Sequence, residues 1–234
     1  IDTSGDEQFE LYIKNLTTLE ITHVPVDCTI TSELVWSNDT RHIIYLKLDD
    51  ALRPYEVMAY SVLGTHHSLF TETDEKFRLS IDKTLSDKYI LISSNSQLSS
   101  EVYYFPASDI INNIARLRTI KPREPHVEYY IDHYYATKGP VNLEYFYILI
   151  NSHEKPNFEL YRTPICAADQ ATCRCPVCVN LNVTDHWELL IPHNPSVELE
   201  DFECFADFAV LTTVDTHQTG LASINIINNY DFNN

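Results

Sequence analysis

Glycine and methionine are scarce in this chain of 234 residues, which contains only 4 Gly and 1 Met. So few glycines leave no room for a glycine-rich phosphate-binding loop or a Gly-x-Ser-x-Gly nucleophile elbow. A His-Glu-x-x-His zinc motif is also missing. We therefore expect no catalytic residues, no metal and no cofactor, and we interpret the chain as a binding protein rather than an enzyme.

Basic residues are also few, since 16 Lys and Arg face 34 Asp and Glu, which gives a net charge of −18. Such a field repels phosphate backbones, so we expect no nucleic-acid partner. It would steer a basic partner toward the chain, but we interpret the acidic residues first as a solvated, soluble surface. No apolar run approaches the roughly 20 residues of a membrane span. Any membrane contact is expected only through an anchor outside these residues.

Aromatic and β-branched residues dominate what is present, with 15 Tyr and 10 Phe. Short runs in which these residues alternate with polar ones predict strands. The predicted strands are Phe9–Ile13, Glu33–Trp36, His42–Leu48, Glu56–Val62, Lys76–Ile81, Tyr89–Ser93, Glu101–Phe105, Val127–His133, Leu143–Ile150, Phe158–Tyr161, Trp187–Ile191, Cys204–Thr212 and Leu221–Ile227. Both faces of Leu143–Ile150 are apolar, which favours a central strand or one whose second face is covered by a neighbour.

One segment interrupts the strand pattern near the middle of the chain. Ser108 is a good N-cap for a short helix over Ser108–Leu117, and Thr119–Pro125 follows with two prolines and mixed charges, as a stiff linker does. We place a domain boundary there, between residues 1–118 and 119–234. The predicted fold class is all-β, with two antiparallel β-sandwiches in tandem.

The six cysteines form an even set, which fits three disulfides in an oxidising compartment. They are Cys28, Cys166, Cys173, Cys175, Cys178 and Cys204. Cys175-x-x-Cys178 has zinc-ligand spacing, so a zinc site is the alternative, but the second ligand pair of a zinc ribbon is missing. We expect disulfides, and the spacing does not decide among the possible pairings.

Three Asn-x-Ser/Thr sequons, at Asn15, Asn38 and Asn182, are candidate glycosylation sites. Together with the cysteines they predict an extracellular location, either as a secreted protein or as a cell-surface ectodomain.

A tyrosine-rich run contains the candidate ligand-binding residues Tyr129, Tyr130, Tyr134 and Tyr135. Tyrosine offers a large contact area and a hydroxyl group, so it is enriched at interfaces. Alternate tyrosines are also what the core face of a strand requires, and strand periodicity allows both roles in one segment.

Three segments resemble fibronectin type III domains. Ser32–Ser37, with Trp36, is similar to the second strand of that family, and Leu85–Glu101 and Phe205–Ser223 are similar to its closing hairpin. The run Glu128–Gly139 resembles the start of the second domain in interferon-gamma-receptor-type proteins, including viral decoys.

This resemblance implies a receptor or adhesion ectodomain that binds a protein partner through its interdomain region and loops. The alternative is a secreted viral or parasite decoy that sequesters a host cytokine or chemokine.

Overall fold

The structure, a computed structural model, describes residues 1–2, 5, 8–110, 115–135, 144–165, 187–217, 222–228 and 231–232. Throughout these residues the regular secondary structure is β. The predicted helix Ser108–Leu117 lies partly outside the described residues, and its described ends, 108–110 and 115–117, are not helical. The described residues contain no helix that is long and apolar enough to cross a membrane.

The described residues form strands in five sheets, each made of consecutive strands. The strands are β1 (Leu11–Lys14), β2 (Ile21–Val24), β3 (Ile30–Trp36), β4 (His42–Leu48), β5 (Pro54–Ser61), β6 (Thr65–Thr71), β7 (Arg78–Lys83), β8 (Tyr89–Asn95), β9 (Ser100–Pro106), β10 (Arg118–Thr119), β11 (Tyr129–Tyr135), β12 (Glu144–Ser152), β13 (Lys155–Ile165), β14 (Glu188–Ile191), β15 (Val197–Cys204), β16 (Phe208–Asp215) and β17 (Ala222–Asn228). After the β1-β2 hairpin come β3-β4-β5-β6, β10-β9-β8-β7, β11-β12-β13-β14 and β15-β16-β17.

The order of strands within each sheet shows that the predicted tandem sandwiches are wrong. A fibronectin-like sandwich distributes successive strands between two sheets, whereas here the described strands pair only with strands that are adjacent to them in the chain. Pairing is antiparallel from β3 to β6, from β11 to β14 and from β15 to β17. Four-stranded sheets that follow one another in this way are how the blades of a β-propeller are built.

The chain divides into two compact units. One unit comprises Ile1–Lys83, Ile90–Ser96 and Tyr103–Arg118, and the other comprises Thr84–Tyr89, Gln97–Val102 and Thr119–Asn234. A change of unit falls between residues 118 and 119, and further changes fall within β8 and β9. The second unit therefore includes two short stretches, 84–89 and 97–102, that precede residue 118. The predicted division into residues 1–118 and 119–234 stays a prediction.

Each unit has an apolar core between two successive sheets. In the first unit, Ile44 and Leu46 of β4 pack with Ile92 of β8. In the second unit, Tyr147 and Leu149 of β12 pack with Phe202 of β15 and Leu211 of β16. β12 lies between β11 and β13, so the prediction of a central strand there is confirmed.

The face of β17 that points away from the second core is exposed. Ile224 and Ile226 are 72% and 62% exposed. They lie opposite Thr212 and Val210 in the register, so they occupy the face that does not carry the core residues Ala209 and Leu211.

Tyr129 is a structural anchor of the second unit. Its side chain is 1% exposed, and its hydroxyl accepts a hydrogen bond from the Val102 N–H at 2.8 Å and donates one to the Lys121 carbonyl at 2.6 Å. Burial raises the pKa of this hydroxyl to about 12. The Tyr129 N–H also donates to Ser100 Oγ at 2.6 Å, so the residue ties β11 to β9 and to the segment after β10.

We expect Tyr129→Phe to lower the free energy of unfolding by about 1–3 kcal/mol, because the Val102 N–H and the Lys121 carbonyl would lose a partner in a buried position. Tyr130, which is 52% exposed, is the matched control, and Tyr130→Phe is expected to change stability by less than about 0.5 kcal/mol. Urea unfolding of the two variants measures both effects, and equal losses would contradict the anchoring role.

Candidate functional site

The candidate site in the second unit is a pocket of about 290 Å³. Three segments surround it. They are the Thr84–Lys88 turn before β8, the C-terminal end of β11, and the Phe205–Asp207 loop between β15 and β16. Its lining residues are Leu85, Ser86, Lys88, His133, Tyr134, Cys204, Phe205 and Ala206. Loops held by a rigid β scaffold are where binding residues are most often found.

The Thr84–Lys88 turn is closed by its own hydrogen bonds. The Thr84 N–H donates to the Tyr89 carbonyl at 3.0 Å, and the Asp87 N–H donates to the Thr84 carbonyl at 2.8 Å. Asp87 has a φ of 60°, in the left-handed region that aspartate tolerates better than most residues. This conformation lets both Ser86 and Lys88 line the pocket.

Five side chains at and beside the pocket form a hydrogen-bonded network. Ser86 Oγ lies 2.6 Å from His133 Nδ1, and Lys88 Nζ forms a short ion pair with Glu144 Oε1. The Tyr89 hydroxyl donates to Glu144 Oε2 at 3.0 Å. His133 Nε2 lies 3.5 Å from the same oxygen, which is longer than a good hydrogen bond, so this nitrogen is buried without a full partner.

Burial sets the ionisation of this network. It lowers the pKa of His133 to about 4, against the opposing effect of the Glu144 carboxylate, so the imidazole is neutral at pH 7. Burial also acts to raise the pKa of Glu144, but the hydrogen bond and charge of Lys88 outweigh it and hold that pKa below its usual range. At neutral pH the network therefore contains one balanced ion pair and a neutral histidine.

Ser86, His133 and Glu144 have the residue types of a serine-hydrolase triad but not its chemistry. A general base works best with a pKa near the operating pH, and a histidine with a pKa of about 4 accepts a proton poorly at pH 7. Ser86 Oγ also shares a hydrogen bond with Thr84 Oγ1 at 2.9 Å. The network is therefore suited to holding the turn against β11 and β12 rather than to activating a nucleophile.

Asp132, next to His133, is a half-buried acid. Its Oδ2 accepts the Cys204 N–H at 2.6 Å, and its Oδ1 accepts the His133 N–H at 2.7 Å. Burial raises its pKa to about 6, although the hydrogen bonds from Cys204 and His133 oppose this shift.

Sequence reasoning did not identify Ser86, Lys88, His133 or Glu144 as a site. One feature of the sequence could have indicated the site. Glu144 is a charged residue at the start of the otherwise apolar strand β12, and a charged residue needs a partner when it is buried.

The four tyrosines predicted to bind a ligand are not placed together. Tyr129 is buried in the core, while Tyr130 is half exposed beside a small cavity of about 70 Å³. Tyr134 lines the larger pocket, and the side chain of Tyr135 lies outside the described residues. A ligand-binding role for this set stays a prediction, and Tyr134 is the member placed at the pocket.

The cysteine and glycosylation predictions fall largely outside the described residues. Cys28 is half-buried and Cys204 is buried. Asn15 and Asn38 are exposed. The residues that lie outside the described ranges are Cys166, Cys173, Cys175, Cys178 and Asn182. The disulfides and glycosylation therefore stay predictions, and among the described side chains no group of three or more His, Cys, Asp or Glu is placed to hold a metal ion.

Comparison with protein-family models matches residues 1–230 to the N-terminal β-propeller domain of prolyl oligopeptidase. The chain belongs to this propeller family. The match agrees with the succession of four-stranded sheets in the structure.

The curated relatives are peptidases. Dipeptidyl aminopeptidase BI of Pseudoxanthomonas mexicana is 31% identical over 218 residues, which cover 90% of this chain and 26% of that protein. Protease 2 of Moraxella lacunata is 25% identical over 166 residues, which cover 69% of this chain and 22% of that protein. The chain thus spans about a quarter of the length of the relatives it matches.

Solved structures support the same fold. Oligopeptidase B from Trypanosoma brucei, with covalently bound antipain, matches with a TM-score of 0.71 and 20% identity over 97% of this chain and 28% of that one. Oligopeptidase B from Leishmania major matches with a TM-score of 0.74 and 19% identity, over the same shares of the two chains.

These comparisons overturn the functional predictions made from the resemblance to fibronectin type III domains. The chain is neither a fibronectin-type receptor ectodomain nor a cytokine decoy, because its family and its relatives are those of peptidases. The expectation of a non-enzyme is wrong for the same reason. The prediction considered only the motifs inside this chain, whereas the family is one of enzymes.

The two shifted pKa values predict opposing effects of pH on stability. His133 titrates near 6.5 when unfolded and near 4 when folded, so lowering the pH from 7 to 4.5 destabilises the fold by about 2 kcal/mol through this residue. Asp132 titrates near 3.8 when unfolded and near 6 when folded, so the same change stabilises the fold by about 2 kcal/mol.

Urea unfolding at pH 7 and 4.5 tests this balance. The quantity compared is the change in the free energy of unfolding between pH 7 and pH 4.5. Relative to the parent chain, this change should be more favourable in His133→Gln and less favourable in Asp132→Asn, whatever each substitution costs at pH 7. The double variant is the control and should follow the pH dependence of the parent. Parallel behaviour of both single variants would show that these groups do not titrate as assigned.

Proposed function

We propose that this chain is part of the propeller of a serine peptidase that acts on oligopeptides. The observation that carries the proposal is the match of residues 1–230 to the propeller domain of prolyl oligopeptidase. Support comes from the relatives, one named a dipeptidyl aminopeptidase and one a protease, and from the likeness to oligopeptidase B. The role of this part is to bind and admit peptides, while hydrolysis takes place elsewhere in a longer polypeptide.

Two features favour placing hydrolysis outside this chain. The Ser86–His133–Glu144 network is a poor activator of a nucleophile, because burial holds the pKa of His133 at about 4. The relatives also extend over about four times the length that this chain matches, which leaves room for a separate hydrolytic domain.

The proposal predicts that the longer polypeptide carrying this chain hydrolyses short fluorogenic peptides and reacts with a fluorophosphonate, which labels activated serines. Peptide mapping should place the label outside residues 1–234, and the 234-residue chain alone, used as the control, should remain unlabelled. Absence of peptide hydrolysis, or a label on Ser86, would contradict the proposal.

The charge of the chain favours cationic peptides. A net charge of −18 raises the local concentration of positive ligands and lowers that of negative ones. In this proposal a peptide substrate takes the place of the protein ligand that the resemblance implied, and the steering of basic partners, which the sequence offered as the lesser alternative, becomes part of the proposal.

We expect kcat/KM for an arginine-containing peptide to fall about tenfold between about 10 mM and about 500 mM salt, because screening shortens the reach of the negative field. A matched peptide with glutamate in place of arginine should respond in the opposite direction. Equal salt dependence of the two peptides would exclude steering by charge.

The extracellular location stays a proposal that rests on the six cysteines and three sequons.

A further inference from the structure

The pocket has an apolar wall that is open to solvent. Leu85 is 56% exposed and Phe205 is 36% exposed, although both belong to the lining. The Phe205 ring stacks on Phe208, with centroids 4.8 Å apart and an interplanar angle of 13°, so it is held as a flat surface. An apolar side chain placed against this wall would remove two exposed apolar surfaces from water.

The polar groups of the lining are few and are mostly donors. Lys88, on the Thr84–Lys88 turn, contributes an ammonium group with three N–H donors that pairs with Glu144, while the Ser86 hydroxyl is already engaged with His133 and Thr84. An ammonium group of this kind also pairs with an acceptor such as a peptide carbonyl. A mostly apolar cavity with a few polar groups is the usual form of a small-ligand site.

The charges exclude two other kinds of ligand. Lys88 is neutralised by Glu144, and the chain as a whole is strongly negative, so an anionic ligand is disfavoured. A cationic ligand would have to displace Lys88 from its ion pair with a carboxylate that is largely buried. A neutral ligand meets neither penalty.

We infer that this pocket is a peptide-binding exosite that takes a bulky apolar side chain of an oligopeptide, with the adjacent peptide carbonyl directed to the Lys88 ammonium group. This inference rests on the proposed peptidase function and names a specificity element within it. A volume of about 290 Å³ suits one aromatic or branched aliphatic side chain rather than a longer segment.

The first test measures binding of small neutral probes to the polypeptide that carries this chain, by ligand-observed NMR. N-acetyl-phenylalanine amide should bind in the millimolar range, and N-acetyl-alanine amide and N-acetyl-glutamate amide should bind about tenfold more weakly. Phe205→Ala, which removes the wall, and Ala206→Trp, which fills the pocket from an exposed position, should each weaken binding of the phenylalanine probe about tenfold.

Leu63→Ala is the matched control, because Leu63 is 90% exposed in the first unit and does not line the pocket. It should leave binding unchanged. Equal binding of the alanine and phenylalanine probes, or binding that both Phe205→Ala and Ala206→Trp leave intact, would overturn the exosite.

Steady-state kinetics distinguish failure of the exosite from failure of the proposed function. With a peptide of about eight residues that contains one phenylalanine, Phe205→Ala should raise KM about fivefold with kcat unchanged, while a dipeptide substrate should be unaffected. Hydrolysis with no change in KM would reject the exosite and leave the peptidase in place. Binding of the probe without any hydrolysis would reject the peptidase function.

Discussion

The architecture depends on strands that are apolar on both faces. Residues 43–46 of β4 and residues 89–92 of β8 are buried without interruption, so neither face of these strands can be left to water. A single sheet cannot meet that requirement, and each sheet therefore needs a neighbour to cover it. The apolar cores are the result of this requirement, since each forms between sheets that follow one another in the chain.

The same local chemistry explains why the class of secondary structure was predictable and the topology was not. The run His42–Leu48 was predicted with the bounds of β4, because its alternation of bulky residues is a property of the strand itself. Which strand lies beside it is a property of the sheet. A sandwich and a propeller blade both present apolar faces to a second sheet, so alternation fits either one. The repeat length carried the missing information, since β3–β6 and β7–β10 each span about 40 residues, as blades do.

The site was harder to predict than the fold because its partners are distant in sequence. Ser86 and His133 are 47 positions apart, and Tyr89 and Glu144 are 55 apart, so no local motif joins them. The tyrosine run was singled out for its composition, yet neighbouring members have different roles: Tyr129 is a core anchor, and Tyr134 contributes to a pocket wall. Because successive side chains of a strand point to opposite faces, tyrosines that are close together in the sequence can lie in different surroundings.

The exposed face of β17 has a consequence for handling the protein in solution. Ile224 and Ile226 offer an exposed apolar strip, which is the kind of surface through which proteins associate. Mutual repulsion between chains of charge −18 opposes that association at neutral pH. Acid, which removes this charge, and high salt, which screens it, both weaken that opposition. The colloidal stability of the chain therefore depends on its surface carboxylates as well as on its fold.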